Sequence, residues 1–170
     1  MLSAAEMSGT VTLFETSSES VRDTELAGAK LAGLIRDDPS MPSFVCLRGD
    51  LGAGKTVFAR GFIGALCPGI RVRSPSYTLI NEYPCRTGGH LIRLCHMDAY
   101  RINGYDDLFS TGFFDINEGR DSIVLCEWPE KIDFALPERR IEAVIFPVPA
   151  DASAGTREGR KITVSMVNDE

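Results

Sequence analysis

Gly49-Asp50-Leu51-Gly52-Ala53-Gly54-Lys55-Thr56 fits the spacing G-x-x-x-x-G-K-[ST] at every fixed position. It stands between a short apolar run, Phe44-Val45-Cys46-Leu47, and a stretch of helical character, Val57 to Leu66. Strand, glycine-rich turn and helix, in that order, are what an anion site needs. The glycines let successive backbone N–H groups turn toward one concave surface. The helix beyond points its positive end and its unpaired N–H groups at the same spot. Lys55 then reaches β- and γ-phosphates, and the Thr56 hydroxyl reaches Mg²⁺. Residues 49–56 are therefore read as a nucleoside-triphosphate site.

The 170 residues are the usual size of one domain and enough to bury a sizeable core. An apolar fraction of 44% with 25% charged residues is that of an ordinary globular protein. No apolar run approaches the roughly 18 residues that a membrane span requires. The start, Met1-Leu2-Ser3-Ala4-Ala5-Glu6, lacks a basic segment followed by an apolar one, so a cytoplasmic location without a secretory signal is expected. A net charge of −6 argues against independent grip on DNA or RNA, which relies on clustered Lys and Arg. The five cysteines form no C-x-x-C pair, and their odd number suits a reducing compartment. Cys46, Cys95 and Cys126 lie inside apolar runs and read as small buried hydrophobes. Two histidines, His90 and His96, are too few for a zinc set.

Outward from the loop, Thr10–Glu15 alternates as a strand does, and Ser17–Ser20 offers caps for a helix carrying Val21, Leu26, Ala29, Leu31 and Leu34. Asp37–Pro42 ends that helix, and Cys67-Pro68-Gly69 ends the one after the loop. Tyr77–Ile80 and Leu91–Met97 read as two strands joined through Arg86–Gly89, an antiparallel hairpin. Asp106–Phe109 reads as a short helix broken at Gly112. Ser122–Cys126 is a strand buried on both faces. Ile141–Phe146 and Lys161–Met166 are strands on either side of a flexible loop over 147–159, and residues 1–9 form a disordered tail. The expected fold is α/β: a single P-loop NTPase-like domain over 1–170, with a mixed parallel/antiparallel sheet flanked by helices.

Hydrolysis requires an acid near Mg²⁺ and a group that orients water. Glu127 follows Ile123–Cys126, and Asp98 follows Leu94–Met97, each at the end of an apolar strand. Either acid suits the metal side, with the other positioning the attacking water; the plainer alternative is a strand-end carboxylate facing solvent. Ser74-Pro75-Ser76-Tyr77-Thr78 sits after the loop helix, where nucleotide-sensing segments lie, though a proline turn opening a strand has the same spacing. Trp128, the single tryptophan, suits packing against a base or a partner, with core filling the better reading from the residues alone.

These blocks together resemble the bacterial TsaE (YjeE) family, ATPases required for making threonylcarbamoyladenosine in tRNA. The resemblance rests on residues 49–56, Ser74–Leu79, His96-Met97-Asp98-Ala99-Tyr100-Arg101 and Glu127-Trp128-Pro129-Glu130-Lys131, with Asp107-Leu108, Gly112 and Asp115 between the last two. It spans about residues 10–167. It implies ATP and Mg²⁺ as cofactors, with Thr56 and Glu127 as metal ligands and with Asp98, Lys55 and Glu127 catalytic. Nucleotide contacts would come from Gly49, Asp50, Leu51, Gly52, Ala53, Gly54, Lys55, Thr56, Ser76 and Trp128. It implies TsaB and TsaD as partner proteins, tRNA reached only through their complex, and hydrolysis that resets the complex rather than performing the transfer. Ser76 stands where the family usually has threonine, and Met97 and Ala99 replace phenylalanine and leucine.

Two other classes fit the loop. A phosphotransferase would add an arginine-bearing lid, which Arg157 and Arg160 imitate. A nucleotide-binding interaction module would recruit partners without turnover. A GTPase would carry N-K-x-D and D-x-x-G, and neither occurs.

Overall fold

The computed structural model describes residues 9–87, 89–117, 121–150, 153 and 158–168. In chain order these build β1 (Gly9–Ser18), α1 (Val21–Asp37), β2 (Phe44–Arg48), α2 (Lys55–Leu66), β3 (Ile80–Thr87) and β4 (His90–Asp98). The chain continues through α3 (Tyr105–Ser110), α4 (Phe113–Asn117), β5 (Ser122–Glu127), a 3₁₀ stretch over Pro129–Ala135, β6 (Arg139–Val148) and β7 (Gly159–Asn168). The strands form one sheet in the order β1-β7-β6-β2-β5-β4-β3. β6, β2, β5 and β4 run parallel, while β3, β7 and β1 join antiparallel. This is the mixed α/β sheet expected from the sequence.

Alternation along the central strands feeds two cores. Val45 and Leu47 of β2 face α1 and α2, where they meet Leu31, Phe58, Phe62 and Ile63. Phe44 and Cys46 face the other way, with Leu108, Phe113, Ile116 and Ile132 from α3, α4 and the 3₁₀ stretch. Every residue of β5 is buried, as a parallel strand covered on both faces must be.

Ser20 caps α1 by accepting from the Asp23 N–H, and Asp23 accepts in return from the Glu19 N–H. The face α1 buries is Thr24, Ala27, Gly28, Leu31, Ala32 and Ile35, whereas Val21 and Leu26 are exposed. Small residues win that face because the two helix backbones touch there. A Cβ on Gly28 would strike the Phe58 carbonyl, and one on Gly61 would strike the Glu25 carbonyl.

The hairpin of β3 and β4 is antiparallel as expected, but its first strand begins at Ile80, not at Tyr77. Tyr77 to Leu79 form a turn, closed by the Leu79 N–H on the Pro75 carbonyl at 2.7 Å, with Leu79 at a φ of 64°. The expected short helix and its break appear as α3, Gly112 at φ 77° and α4. The 3₁₀ stretch had no counterpart in the sequence reading. Expectation also fails at two cysteines: Cys67, which caps α2, is disulfide-bonded to Cys85 of β3, their Cα atoms 5.0 Å apart. Cys46, Cys95 and Cys126 are free and buried, and burial pushes the Cys95 thiol up to about 11. Gly9 belongs to β1 rather than to a tail, and residues 1–8 lie outside the described residues. Of the loop expected over 147–159, the ends belong to β6 and β7, and 151, 152 and 154–157 lie outside the described residues.

The helix contact is testable with two glycines of α2. Gly61→Ala drives a methyl into backbone and is expected to cost roughly 1–3 kcal/mol or more in urea unfolding. Gly64→Ala meets nothing within 4 Å and is expected to stabilise by about 0.4–1 kcal/mol.

Candidate functional site

β2 and α2 hold the two ends of the loop at residues 49–56. Gly49 has φ 148°, and a Cβ there would lie 2.6 Å from the Ile145 carbonyl oxygen, so no other residue lets the chain leave β2 this close to β6. Gly54, at φ 111°, is the N-cap of α2. It provides no side-chain cap, and the first turn of α2 holds no acidic residue, so the N–H groups of that turn are left to an anion.

Parallel register places the acids. Leu47 of β2 is level with Glu127 of β5, and Glu127 is level with Asp98 of β4. Both carboxylates therefore end their strands at the sheet edge from which the loop leaves. Thr56 Oγ1 donates to Glu127 Oε2 at 3.0 Å. The other oxygen, Oε1, lies 2.8 Å from His96 Nε2, and since a carboxylate only accepts, Nε2 is the donor. His96 is completely buried, and its Nδ1 has no hydrogen-bond partner among the described residues. Ser76 Oγ donates to Asp98 Oδ2 at 3.2 Å, and Asp98 Oδ1 accepts from the Tyr100 N–H at 3.0 Å.

Lys55 is folded back. Its Nζ donates to the carbonyls of Gly49 and Asp50 at 2.5 and 2.9 Å, and sits 3.8 Å from the centroid of the Trp128 ring. Burial lowers its pKa, against the pull of the Glu127 carboxylate. Trp128 itself adopts a φ of 58° and packs at 5.1 Å against the Tyr100 ring. It lines the cavity and is only half-buried, which corrects its reading as core.

A cavity of about 320 Å³ gathers Leu51, Gly52, Gly54, Lys55 and Thr56 from the loop. Val57, Ser76, Asp98, Glu127, Trp128 and Arg160 complete its wall. Gly49, Asp50 and Ala53 shape the loop without lining the cavity. Thr78 turns away, donating to Asn81 Oδ1 at 2.7 Å. A larger cavity of about 440 Å³ lies at the other ends of β4 and β5, beside Arg93 and Ser122, but no phosphate-binding loop faces it. Chemistry, not size, selects the smaller one.

Mg²⁺ fits the donor set. Hydroxyl and carboxylate oxygens of Thr56 and Glu127 meet at 3.0 Å, the hard-oxygen chemistry that this ion prefers. Among the described residues no three His, Cys, Asp or Glu side chains gather into a cage. Two residues at the site were given no role there by the sequence reading. His96, quoted only as part of a longer block, precedes Asp98 by two on β4 and so shares its face, a signal that was present. Arg160, read only as imitating a lid, reaches the Ala53 carbonyl, a contact nothing in the sequence announces. The lid imitation fails for Arg160, which is part of β7, and Arg157 lies outside the described residues.

Residues 18–154 match the family described as threonylcarbamoyl adenosine biosynthesis protein TsaE. The tRNA threonylcarbamoyladenosine biosynthesis protein TsaE of Bacillus subtilis (strain 168) is 38% identical over 123 residues, covering 72% of this chain and 69% of its own. That of Treponema pallidum (strain Nichols) is 32% identical over 148 residues, 87% of this chain and 97% of its own. The Haemophilus influenzae protein of the same description is 42% identical over 97 residues, covering 57% of this chain and 58% of its own. The crystal structure of YdiB from Bacillus superposes with a TM-score of 0.64 at 28% identity, covering 96% of this chain and 90% of that one.

His96→Leu leaves Glu127 Oε1 buried without a donor and is expected to lower stability by roughly 1–3 kcal/mol. His96→Gln, which carries an N–H of similar reach, should recover part of that loss in the same urea titration.

Proposed function

The chain belongs to the TsaE family of tRNA threonylcarbamoyladenosine biosynthesis, and from that premise we propose that it is a Mg²⁺-dependent ATPase whose turnover resets a complex with TsaB and TsaD. The observation that carries this reading is the Thr56–Glu127 bond at the mouth of the phosphate loop. It joins the two groups that a loop ATPase needs around its metal.

In the proposed cycle Lys55 leaves the Gly49 and Asp50 carbonyls for the β- and γ-phosphates, exchanging two neutral acceptors for anionic ones. Thr56 and Glu127 are the residues that would hold Mg²⁺, and the ion would supply neutralisation of charge on the phosphate oxygens. His96 keeps one oxygen of Glu127 occupied, so the other is the one offered. Asp98, with Ser76 on one oxygen and the Tyr100 amide on the other, orients the water that attacks the γ-phosphorus. Ser76 couples the segment after α2 to that acid. The loop residues 49–56 and Trp128 bound the nucleotide.

The net charge of −6 supports contact with tRNA through the partners rather than directly, and a cytoplasmic site of action follows from the tRNA substrate. The transfer of the threonylcarbamoyl group is assigned to the TsaD-type partner. Residues 1–170 are taken as one ATPase domain.

Lys55→Ala is expected to weaken ATP binding by about tenfold or more, read by calorimetry or by Trp128 emission, because a charge-assisted contact is worth roughly 1.5–3 kcal/mol. Unchanged affinity would contradict the assignment of the loop. Glu127→Ala should weaken binding in Mg²⁺ more than binding in chelator, and equal losses would move the metal to Asp98.

Turnover is tested with the chain alone and with purified TsaB and TsaD. Phosphate release is expected to rise with the partners, and Asp98→Ala to lower it by about 10²–10⁴ while ATP still binds. Tight binding with no turnover in the assembled complex would favour a nucleotide switch. A phosphorylated small molecule in place of free phosphate would favour a kinase.

A further inference from the structure

Arg160 is the second residue of β7, level with Pro147 of β6 and with Ser18 of β1. β6 runs parallel to β2 and β7 antiparallel to β6, so β7 begins at the edge where β2 ends. The strand order puts it two places from β2, on the side away from β5 and β4. Glu127 and Asp98 thus flank the loop on one side and Arg160 on the other. Its Nε donates to the Ala53 carbonyl at 2.6 Å, and its side chain lines the same cavity as Lys55 and Thr56. The approach is close enough that a Cβ on Gly54 would lie 3.2 Å from Nε.

A trans peptide is planar, and its C=O and N–H point in opposite directions. The Ala53–Gly54 peptide is trans, since no cis bond occurs among the described residues. Holding the Ala53 carbonyl on Arg160 therefore aims the Gly54 N–H away from Arg160. Gly54 has a φ of 111°, a region that glycine enters readily, so this peptide has little restraint on its Gly54 side. A guanidinium with Nε engaged keeps its terminal N–H groups and its charge for an anion.

We propose that Arg160 is a positioning residue for the nucleotide's phosphate chain. It locks the Ala53–Gly54 peptide so that the Gly54 N–H faces the phosphates, and it adds positive charge on the side of the loop remote from Glu127 and Asp98. The inference rests on the nucleotide reading above and adds to it a residue outside every sequence block that suggested that reading. From its side of the loop Arg160 acts on what ATP and ADP share, not on the γ-phosphate or the metal.

The test is calorimetric titration of the full chain with ATP and with ADP, each in Mg²⁺ and in chelator, for the unaltered protein, Arg160→Met and Arg160→Lys. Arg160→Met keeps the aliphatic length without a donor and is expected to lose about tenfold or more in affinity for both nucleotides, by factors that agree within about twofold. The ratio of affinities with and without Mg²⁺ should not move. Arg160→Lys, which keeps the charge and a donor, should lose less, again equally for ATP and ADP, and it reads out the inference if Arg160→Met does not fold. The Gly54 amide resonance is expected to shift on ADP binding in the unaltered protein and to shift less in either variant.

A loss confined to ATP would overturn the inference by making Arg160 a γ-phosphate contact. Unchanged affinity in a variant with a lowered melting temperature would overturn it by leaving Arg160 a tether between β7 and the loop. Failure of the unaltered chain to bind either nucleotide would sink the nucleotide reading as well. Normal binding by the unaltered chain with normal binding by both variants would sink this inference alone.

Discussion

Parallel pairing of β2 with β5 is the constraint from which the site follows. Two parallel neighbours end at the same edge of a sheet, so whatever follows β2 stands beside whatever ends β5. Here the phosphate loop follows one and Glu127 ends the other, with Leu47 and Glu127 level in register. A shift of one residue would turn Glu127 toward the opposite face and replace it with Cys126 or Trp128. Burial on both faces prevents that shift, because β5 is packed by one core on each side and its apolar residues have no alternative place. The position of one carboxylate is thus secured by the packing of side chains that have no chemistry of their own.

Charges at this edge are tolerated because each is met locally. Glu127 is almost wholly buried and is held by Thr56 on one oxygen and His96 on the other. Lys55 is nearly as buried, and satisfies its ammonium on two loop carbonyls and the Trp128 ring. A further pair guards the entrance to the loop: Arg48, the residue before Gly49, is bidentate on Glu142, with bonds of 2.6 and 3.2 Å, and Glu142 also accepts from Arg140 at 2.7 Å. Leaving one member of such a set unpaired in a dry place costs far more than the set contributes when complete. These residues therefore act on the precision of the site more than on the stability of the chain.

What could be read in advance was what lies close together in sequence. The loop, its strand and its helix are contiguous, and the cap at Ser20 and the buried run of β5 are local patterns. So are the acids at strand ends, whose neighbourhood follows once β4 and β5 are known to lie side by side. Contacts between distant residues were not legible. Arg160 meets Ala53 over 107 residues, and Cys67 meets Cys85 because a helix end and a strand happen to converge. Backbone conformation hid as well. The left-handed φ at Leu79 delays β3 to Ile80, and that at Trp128 turns the indole over Lys55 instead of into the core. Neither residue type favours that conformation, so nothing in composition announces it. On α1 the apolar side chains misled, since the helix face was chosen by closeness of approach rather than by hydrophobicity.

The contact between α1 and α2 limits how this chain can drift. Gly28 and Gly61 each face a backbone carbonyl of the other helix, so a side chain gained at either position has to push the helices apart. One of those helices starts at Lys55. A change at Gly28, distant in sequence from residues 49–56, would alter the footing of the loop, and the two glycines can be exchanged for larger residues only together with a new separation between the helices. In descendants of this sequence, the freedom to vary on the outer surface of α1 would coexist with near immobility on its inner face.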